Sequence, residues 1–340
     1  MIINIYTIIM LFVACVSVLL GGFLLYETIK SLTGSRKITL EKKSKFEERG
    51  YLVFLIACVA VSIRMFAWPW FYFMLQSFVP EIPGAMCMFG VTQILPSTVT
   101  FLQIIKPITF FTMGGWLLGY YIDKSTPETP LVRKNLYFLL IVCGMLLTDA
   151  IADILYIFRM KPLMSVSCCA TFFDMPLRPS AMIPQAILGS HFQGILFILY
   201  YLINIVLIGL LFTTLSGKWQ SWTTSSRKTI LYIQATLGVI NIPFVIFTFI
   251  ENIVPRLMLL PYHHCIYCFM GNGTVTDAPL ILGLFIIGTF GIGWMGILRI
   301  FYKDSSVQAV TERLRFKVNS LSAFCLLASL IMVTVHLVLV

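Results

Sequence analysis

The residues best suited to chemistry are crowded into one short stretch, "PYHHCIYCFMGNG", at positions 261–273. It places His263, His264, Cys265 and Cys268 within six positions of a chain of 340 residues that has four histidines in all. Imidazole and thiolate are ligands that soft and borderline metals such as copper and zinc prefer. The two-residue gap between the cysteines lets both sulfurs reach one ion. The stretch therefore predicts a metal site with these four residues as ligands.

Further ligands must come from elsewhere, because structural zinc sites usually draw on two separated ligand pairs. The candidates are Cys87 in "PGAMCMFG", the adjacent Cys168 and Cys169 in "SVSCCATFFD", and His191 before a long apolar stretch. The three cysteines are predicted as additional ligands or disulfide partners. Covalent haem attachment needs a histidine after the second cysteine, and Phe269 occupies that position. A haem would therefore be held by axial histidine ligation, so copper, zinc and haem all stay open as cofactors.

The same cysteines would also suit thiol chemistry. The Cys265–Cys268 pair resembles the Cys-x-x-Cys of the quinone-coupled disulfide-forming enzymes and of vitamin K epoxide reductase, in which a loop cysteine pair relays electrons to it. The resemblance implies a membrane thiol-disulfide oxidoreductase coupled to quinone, with His264 lowering the pKa of a thiol. It covers only these few residues, and those enzymes are bundles of four or five helices.

Eight apolar stretches must position these loops. The chain is 59% hydrophobic and 11% charged, whereas about a quarter of a soluble protein is charged. Windows of about 20 apolar residues, long enough to cross a bilayer, lie at 4–26, 51–76, 99–121, 136–158, 190–215, 229–252, 279–301 and 319–340. The sequence therefore predicts an all-α polytopic membrane protein with eight transmembrane helices, a single transmembrane domain over residues 1–340.

The basic residues predict the orientation. Of the 24 lysines and arginines, 18 lie in the connections 27–50, 122–135, 216–228 and 299–318, and only four lie in the opposite loops. Because basic loops stay on the cytoplasmic side, both termini and all the loop cysteines are predicted to lie outside, where disulfides can form. The net charge of +10 then indicates contact with the lipid bilayer and requires no nucleic acid. The predicted location is a bacterial inner membrane, with the Cys/His site on the periplasmic side.

An internal repeat is predicted between residues 1–160 and 185–340. A shift of 181 residues moves the helix starts near 51, 99 and 136 to 232, 280 and 317, close to those of later windows. The same shift aligns Cys87, in "CMFG", with Cys268, in "CFMG". Four helices per half is an even number, so the halves would be parallel repeats with the same orientation in the membrane.

Four ionisable residues fall inside the predicted helices: Arg64, Lys106, Asp149 and Asp153. At a rise of 1.5 Å per residue, Arg64, Lys106 and Asp149 lie about 10 Å below the outer boundary of the bilayer. Asp153 follows Asp149 by one helical turn on the same face. Intramembrane charges usually persist by pairing. The four residues are therefore predicted to form either a structural ion-pair network or a polar layer that binds a proton, an ion or a quinone.

The sequence leaves catalysis open. It has no Gly-x-Ser-x-Gly, no His-Glu-x-x-His and no phosphate-binding loop. It favours an integral membrane protein with an outward Cys/His site that handles metal or haem, or transfers electrons, together with other membrane or periplasmic subunits. The alternatives are the quinone-coupled oxidoreductase and a permease-type transporter with structural disulfides.

Overall fold

A computed structural model describes residues 2–34, 40–126, 129–161, 165–167, 169–176, 178–216, 221–271, 275–301 and 305–339. Throughout these residues the regular structure is helical, without a strand. Eight helical stretches in this part of the chain are long and apolar enough to cross a membrane. The predicted all-α polytopic fold with eight spans is thereby confirmed.

The chain divides into two compact units, each with four of the eight spans. The first unit comprises Met1–Ser167 with Asp304–Val307, and the second comprises Cys168–Lys303 with Gln308–Val340. The boundary between Ser167 and Cys168 thus lies between the predicted halves 1–160 and 185–340. The internal repeat and the outward position of the termini stay predictions.

The first unit is a bundle of four long helices. Its helices are α1 (Ile5–Gly34), α2 (Leu40–Phe78), α3 (Met88–Thr92), α4 (Pro96–Lys124) and α5 (Val132–Arg159). Both α1 and α4 pack against α2 and α5. Small residues let transmembrane helices approach closely, and a Cβ at Gly21 of α1 would lie only 2.7 Å from Leu146 Cδ2 of α5. The bundle encloses an apolar core that includes Trp116 and Leu139.

The second unit is also built around four long helices. Its elements are α6 (Ala170–Phe173), α7 (Pro179–Leu188), α8 (Phe192–Leu215), α9 (Thr224–Thr248), a π-helical turn (Phe249–Ile253), α10 (Val254–Leu257), α11 (Ile266–Gly271), α12 (Ala278–Phe301) and α13 (Gln308–Leu339). Both α8 and α12 pack against α9 and α13. The four long helices of each unit therefore contact one another in the same cyclic order along the chain.

The last helix is longer than its apolar window. It begins at Gln308, well before the predicted start at 319, and its first turns are polar. Arg315 pairs with Glu312 one turn earlier, with 2.8 Å between Arg315 Nε and Glu312 Oε2, and Arg315 Nη1 donates to the Thr214 carbonyl of α8 at 2.8 Å. Because these contacts stabilise helical residues that have no apolar signal, hydropathy alone placed the start of the helix too late.

Candidate metal centre

Three of the predicted cysteines come together in the second unit. Cys169 directly precedes α6, Cys265 directly precedes α11, and Cys268 lies within α11. Their three sulfurs all lie within 4.8 Å of one another, and Cys169 Sγ is 3.5 Å from Cys268 Sγ. Sulfurs that bind one zinc ion tetrahedrally with bonds of 2.3 Å lie about 3.8 Å apart. The spacing of this sulfur group therefore suits a metal ion.

The local fold explains why Cys265 and Cys268 converge. Residues three apart share one face of a helical turn, so the Cys-x-x-Cys spacing at the start of α11 directs both sulfurs to the same side. Phe269, on the next position of α11, is fully buried against Phe249 of the π-helical turn, with 6.3 Å between the ring centroids. This apolar contact fixes α11 on the bundle and thereby holds the two cysteines in place.

His263 links the sulfur group to a carboxylate. Its Nε2 lies 3.9 Å from Cys169 Sγ, and its Nδ1 lies 2.6 Å from Asp174 Oδ1. Asp174 directly follows α6, so the one short helix has Cys169 at its start and Asp174 at its end. Metal-binding histidines commonly donate their second ring N–H to a carboxylate, which fixes the tautomer and the ring orientation. Asp174 was not predicted as part of the site, because no spacing in the sequence connects it to His263.

His264, predicted as a ligand, is not part of the sulfur group. Its Nδ1 donates to the Ile250 carbonyl in the π-helical turn, at 2.9 Å. Burial lowers the pKa of His264, and the Arg178 charge acts in the same direction, although the hydrogen bond to Ile250 opposes both. The two histidines lie in a non-helical stretch, where successive side chains diverge. His263 can therefore reach Cys169 while His264 supports the backbone.

A partly buried ion pair lies beside His264. Arg178 Nε is 3.1 and 3.0 Å from the two carboxylate oxygens of Glu251, and Arg178 Nη2 also donates to Glu251 Oε2. Glu251 belongs to the π-helical turn, and its Oε2 is 3.9 Å from His264 Nδ1. Such turns are frequent at functional sites. This pair was not predicted, although an acidic residue within the apolar window 229–252 was a signal that could have identified it.

Three other residues were predicted as ligands: Cys87, Cys168 and His191. Cys87 belongs to the first unit, where it directly precedes α3 and is buried, and its role as a further ligand stays a prediction. Cys168 lies outside the described residues. His191 directly precedes α8, its side chain is exposed, and it is not part of the sulfur group.

In the first unit, the four charged residues predicted inside the spans meet one another. Arg64 Nε donates to Asp149 Oδ2 at 2.8 Å, and Arg64 Nη2 pairs with Asp153. Lys106 Nζ lies 3.1 Å from Asp149 Oδ1 and 2.8 Å from Asp153 Oδ2. All four residues are at most 3% exposed, and their charges sum to zero. The predicted mutual neutralisation is present, whereas a role of this charge cluster in binding a cofactor stays a prediction.

No family model, curated protein or solved structure that was compared with the chain matches it. Function is therefore inferred from the side chains themselves. Among the described residues, the sulfur group is the arrangement that could hold a metal ion, and it lies in a helical protein with eight candidate membrane spans.

Proposed function

We propose that this multi-pass membrane protein binds a soft or borderline metal ion, with Cys169, Cys265, Cys268 and His263 as ligands. One observation carries the proposal: three sulfurs lie within 4.8 Å of one another, beside an imidazole nitrogen 3.9 Å from one of them. Three thiolates and one imidazole are a donor set that selects zinc or cuprous copper over hard cations. Asp174 would orient His263 toward the ion.

The donor set also discriminates among the predicted cofactors. A haem leaves the protein only axial positions on its iron, and three converging sulfurs do not fit that requirement. Zinc accepts four sulfur and nitrogen ligands in a tetrahedral arrangement, and cuprous copper accepts soft thiolates. We therefore favour zinc or cuprous copper over haem at this site.

Metal handling is the role that we favour for this site. Cys265 is fully buried, but the side chains of His263 and Asp174 are 14% and 33% exposed. An ion could therefore enter and leave on the side of His263. Electron transfer would require copper, since zinc has no redox chemistry in proteins. The outward orientation, the bacterial inner membrane and a larger assembly are proposals that rest on the basic residues and the short loops.

Elemental analysis of the purified full-length protein tests the metal proposal. We expect nearly one equivalent of zinc or copper, lost in Cys265→Ser and Cys268→Ser and reduced in His263→Ala. Cys325→Ser, at a buried cysteine of α13, and His191→Gln serve as controls and should retain the metal. A metal-free protein, or equal metal content in every variant, would contradict the proposal.

The distance of 3.5 Å between Cys169 Sγ and Cys268 Sγ also favours a second candidate, thiol oxidation. When the two thiols form a disulfide, they release two protons and two electrons, which a membrane quinone would accept to become a quinol. Mass-spectrometric mapping of disulfides after adding a soluble quinone tests this reaction. A Cys169–Cys268 bridge in a metal-free protein would support the oxidoreductase and displace the metal proposal.

A further inference from the structure

An open groove with a volume of about 630 Å³ lies at one end of the second unit. It is lined by residues of α8, α10 and α13 and of the segment that follows α10. Most of its lining is apolar and includes Leu259, Leu337 and Val338, of which Leu259 and Val338 are strongly exposed. Sites for small molecules commonly measure 300–1,000 Å³ and combine apolar walls with a few polar groups. The groove has the size and the lining of such a site.

Among the described residues that line the groove, Arg256 is the cation. Its guanidinium carbon lies 4.9 Å from the centroid of the Phe197 ring, which also lines the groove. This cation–π contact favours one position of the guanidinium while leaving its N–H donors available. Within the described part of the chain, no carboxylate forms an ion pair with Arg256. The groove therefore presents a positive charge that an anionic ligand would neutralise.

The groove also offers a neutral hydrogen-bond acceptor. Thr334 Oγ1 donates to the Leu330 carbonyl at 2.7 Å, and Tyr201 Oη lies 3.1 Å from Thr334 Oγ1. Since the single hydroxyl proton of Thr334 is used for Leu330, Tyr201 donates to Thr334. The Tyr201 oxygen keeps its acceptor capacity. A ligand in the groove could thus present an anionic group to Arg256 and pass Tyr201 without leaving its hydroxyl proton unpaired.

The position of the groove along the spans identifies the kind of ligand. Arg256 is the last residue but one of the span Ser225–Leu257, and Val338 is the last but one of the span Gln308–Leu339. Phe197 lies near the start of α8. Span ends lie at the boundary between hydrocarbon and lipid head groups, where arginine and aromatic side chains contact phosphates. A molecule bound here would place its polar part at Arg256 and its apolar part against the bundle.

We propose that this groove is a binding site for an anionic phospholipid. The phosphate diester pairs with Arg256 at the span end, and the acyl chains extend from there past Phe197 and Tyr201 toward the middle of the spans. The proposal is independent of the metal site, because it uses none of the proposed ligands.

Native mass spectrometry of the full-length protein in detergent tests the lipid site. The probes are phosphatidylglycerol, which is anionic and carries head-group hydroxyls, and zwitterionic phosphatidylcholine. We expect the wild-type protein to retain phosphatidylglycerol about fivefold to tenfold more strongly, because both lipids offer a phosphate to Arg256 but only phosphatidylcholine also brings a quaternary ammonium, which this arginine repels. Arg256→Gln should abolish this preference, and Arg256→Lys should restore part of it. Leu337→Trp, which fills the groove, should weaken retention of both lipids.

A matched control is Arg159→Gln, because Arg159 also ends a span but does not line the groove. Equal retention of the two lipids by the wild-type protein would overturn the proposal, as would equal losses in Arg159→Gln and Arg256→Gln. Soluble glycerol phosphate should not displace the lipid, because it lacks acyl chains. Displacement by this compound would instead identify a site for soluble phosphate esters and would also overturn the proposal.

Discussion

The two units use the same cyclic order of four long helices but place their polar groups differently. In the first unit, two cations and two anions meet between α2, α4 and α5. In the second unit, a buried polar contact between long helices is a neutral pair, in which Asn204 and Asn241 exchange side-chain hydrogen bonds at 3.4 and 3.0 Å. The sulfur group and the Arg178–Glu251 pair of that unit lie at short helices and at the π-helical turn.

This difference separates polar groups that stabilise a bundle from polar groups that can bind a ligand. Buried charges are costly unless opposite charges offset them, and the charge cluster of the first unit is neutral by itself. The thiols and the imidazole of the second unit lie between elements of four to ten residues, where an ion can reach them. We expect substitutions in the first unit to affect stability and those around the sulfur group to affect metal binding.

The largest expected effect is that of Lys106→Met in the first unit. The substitution leaves Asp149 and Asp153 with Arg64 alone, so one negative charge remains buried without compensation. We expect a loss of about 3–5 kcal/mol in the free energy of unfolding, measured by denaturant titration in detergent micelles. The double variant Lys106→Met with Asp149→Asn restores neutrality and should lose less than the sum of the two single variants. Additive losses would show that the two residues are not coupled.

The second prediction concerns Asp174→Asn in the second unit. An asparagine cannot supply the negative charge that orients His263 and raises its basicity, so metal affinity should fall about 10- to 100-fold while the metal-free fold is retained. Competition with a calibrated chelator measures the affinity. Asp277→Asn is the matched control, because Asp277 Oδ1 also contacts a histidine, with 2.8 Å to His336 Nε2, but is not part of the sulfur group. Equal affinities of the two variants would contradict the role of Asp174.

A smaller effect is expected for Glu251→Gln, the equivalent loss of one charge in the second unit. The glutamine keeps one oxygen as an acceptor, and the Arg178 side chain is 11% exposed, so water can solvate part of its charge. We expect a loss of about 1–2 kcal/mol by the same denaturant titration used for Lys106→Met. A loss as large as that of Lys106→Met would remove the distinction between the two units.

The smallest effect is expected when both residues of the asparagine pair are replaced. Hydrogen bonds between transmembrane helices contribute about 0.6 kcal/mol on average, and the double variant Asn204→Leu with Asn241→Leu leaves neither amide of the pair. The free energy of unfolding should stay within about 1 kcal/mol of the wild-type value. A loss of several kcal/mol would show that the second bundle depends on buried polar contacts as strongly as the first.

The sequence predicted the parts of the structure that depend on one-dimensional patterns. The eight spans were predictable because a bilayer demands long apolar helices whose backbone hydrogen bonds are internal. The charge cluster was predictable because helical rise converts sequence position into depth, and Arg64, Lys106 and Asp149 fall at similar depths. The Cys265–Cys268 spacing fits the first turn of α11, so the convergence of these two sulfurs was also predictable.

The rest of the site depends on the path of short segments that hydropathy does not encode. Asp174 directly follows α6, and Arg178 directly precedes α7. Neither of these two short helices has a clear sequence signal. Their partners, His263 and Glu251, are more than 70 residues away in the sequence. The different directions of His263 and His264 depend on backbone conformation, which residue spacing alone does not define. These contacts are therefore visible only in the three-dimensional structure.

The most direct test of the proposed metal centre is X-ray absorption spectroscopy at the metal edge of the purified full-length protein. If the ion is zinc, we predict three sulfur neighbours at about 2.3 Å and one nitrogen neighbour at about 2.0–2.1 Å. In His263→Ala the nitrogen should disappear while the sulfurs remain. A shell of oxygen and nitrogen without sulfur, or a spectrum unchanged in Cys268→Ser, would contradict a metal centre built from Cys169, Cys265, Cys268 and His263.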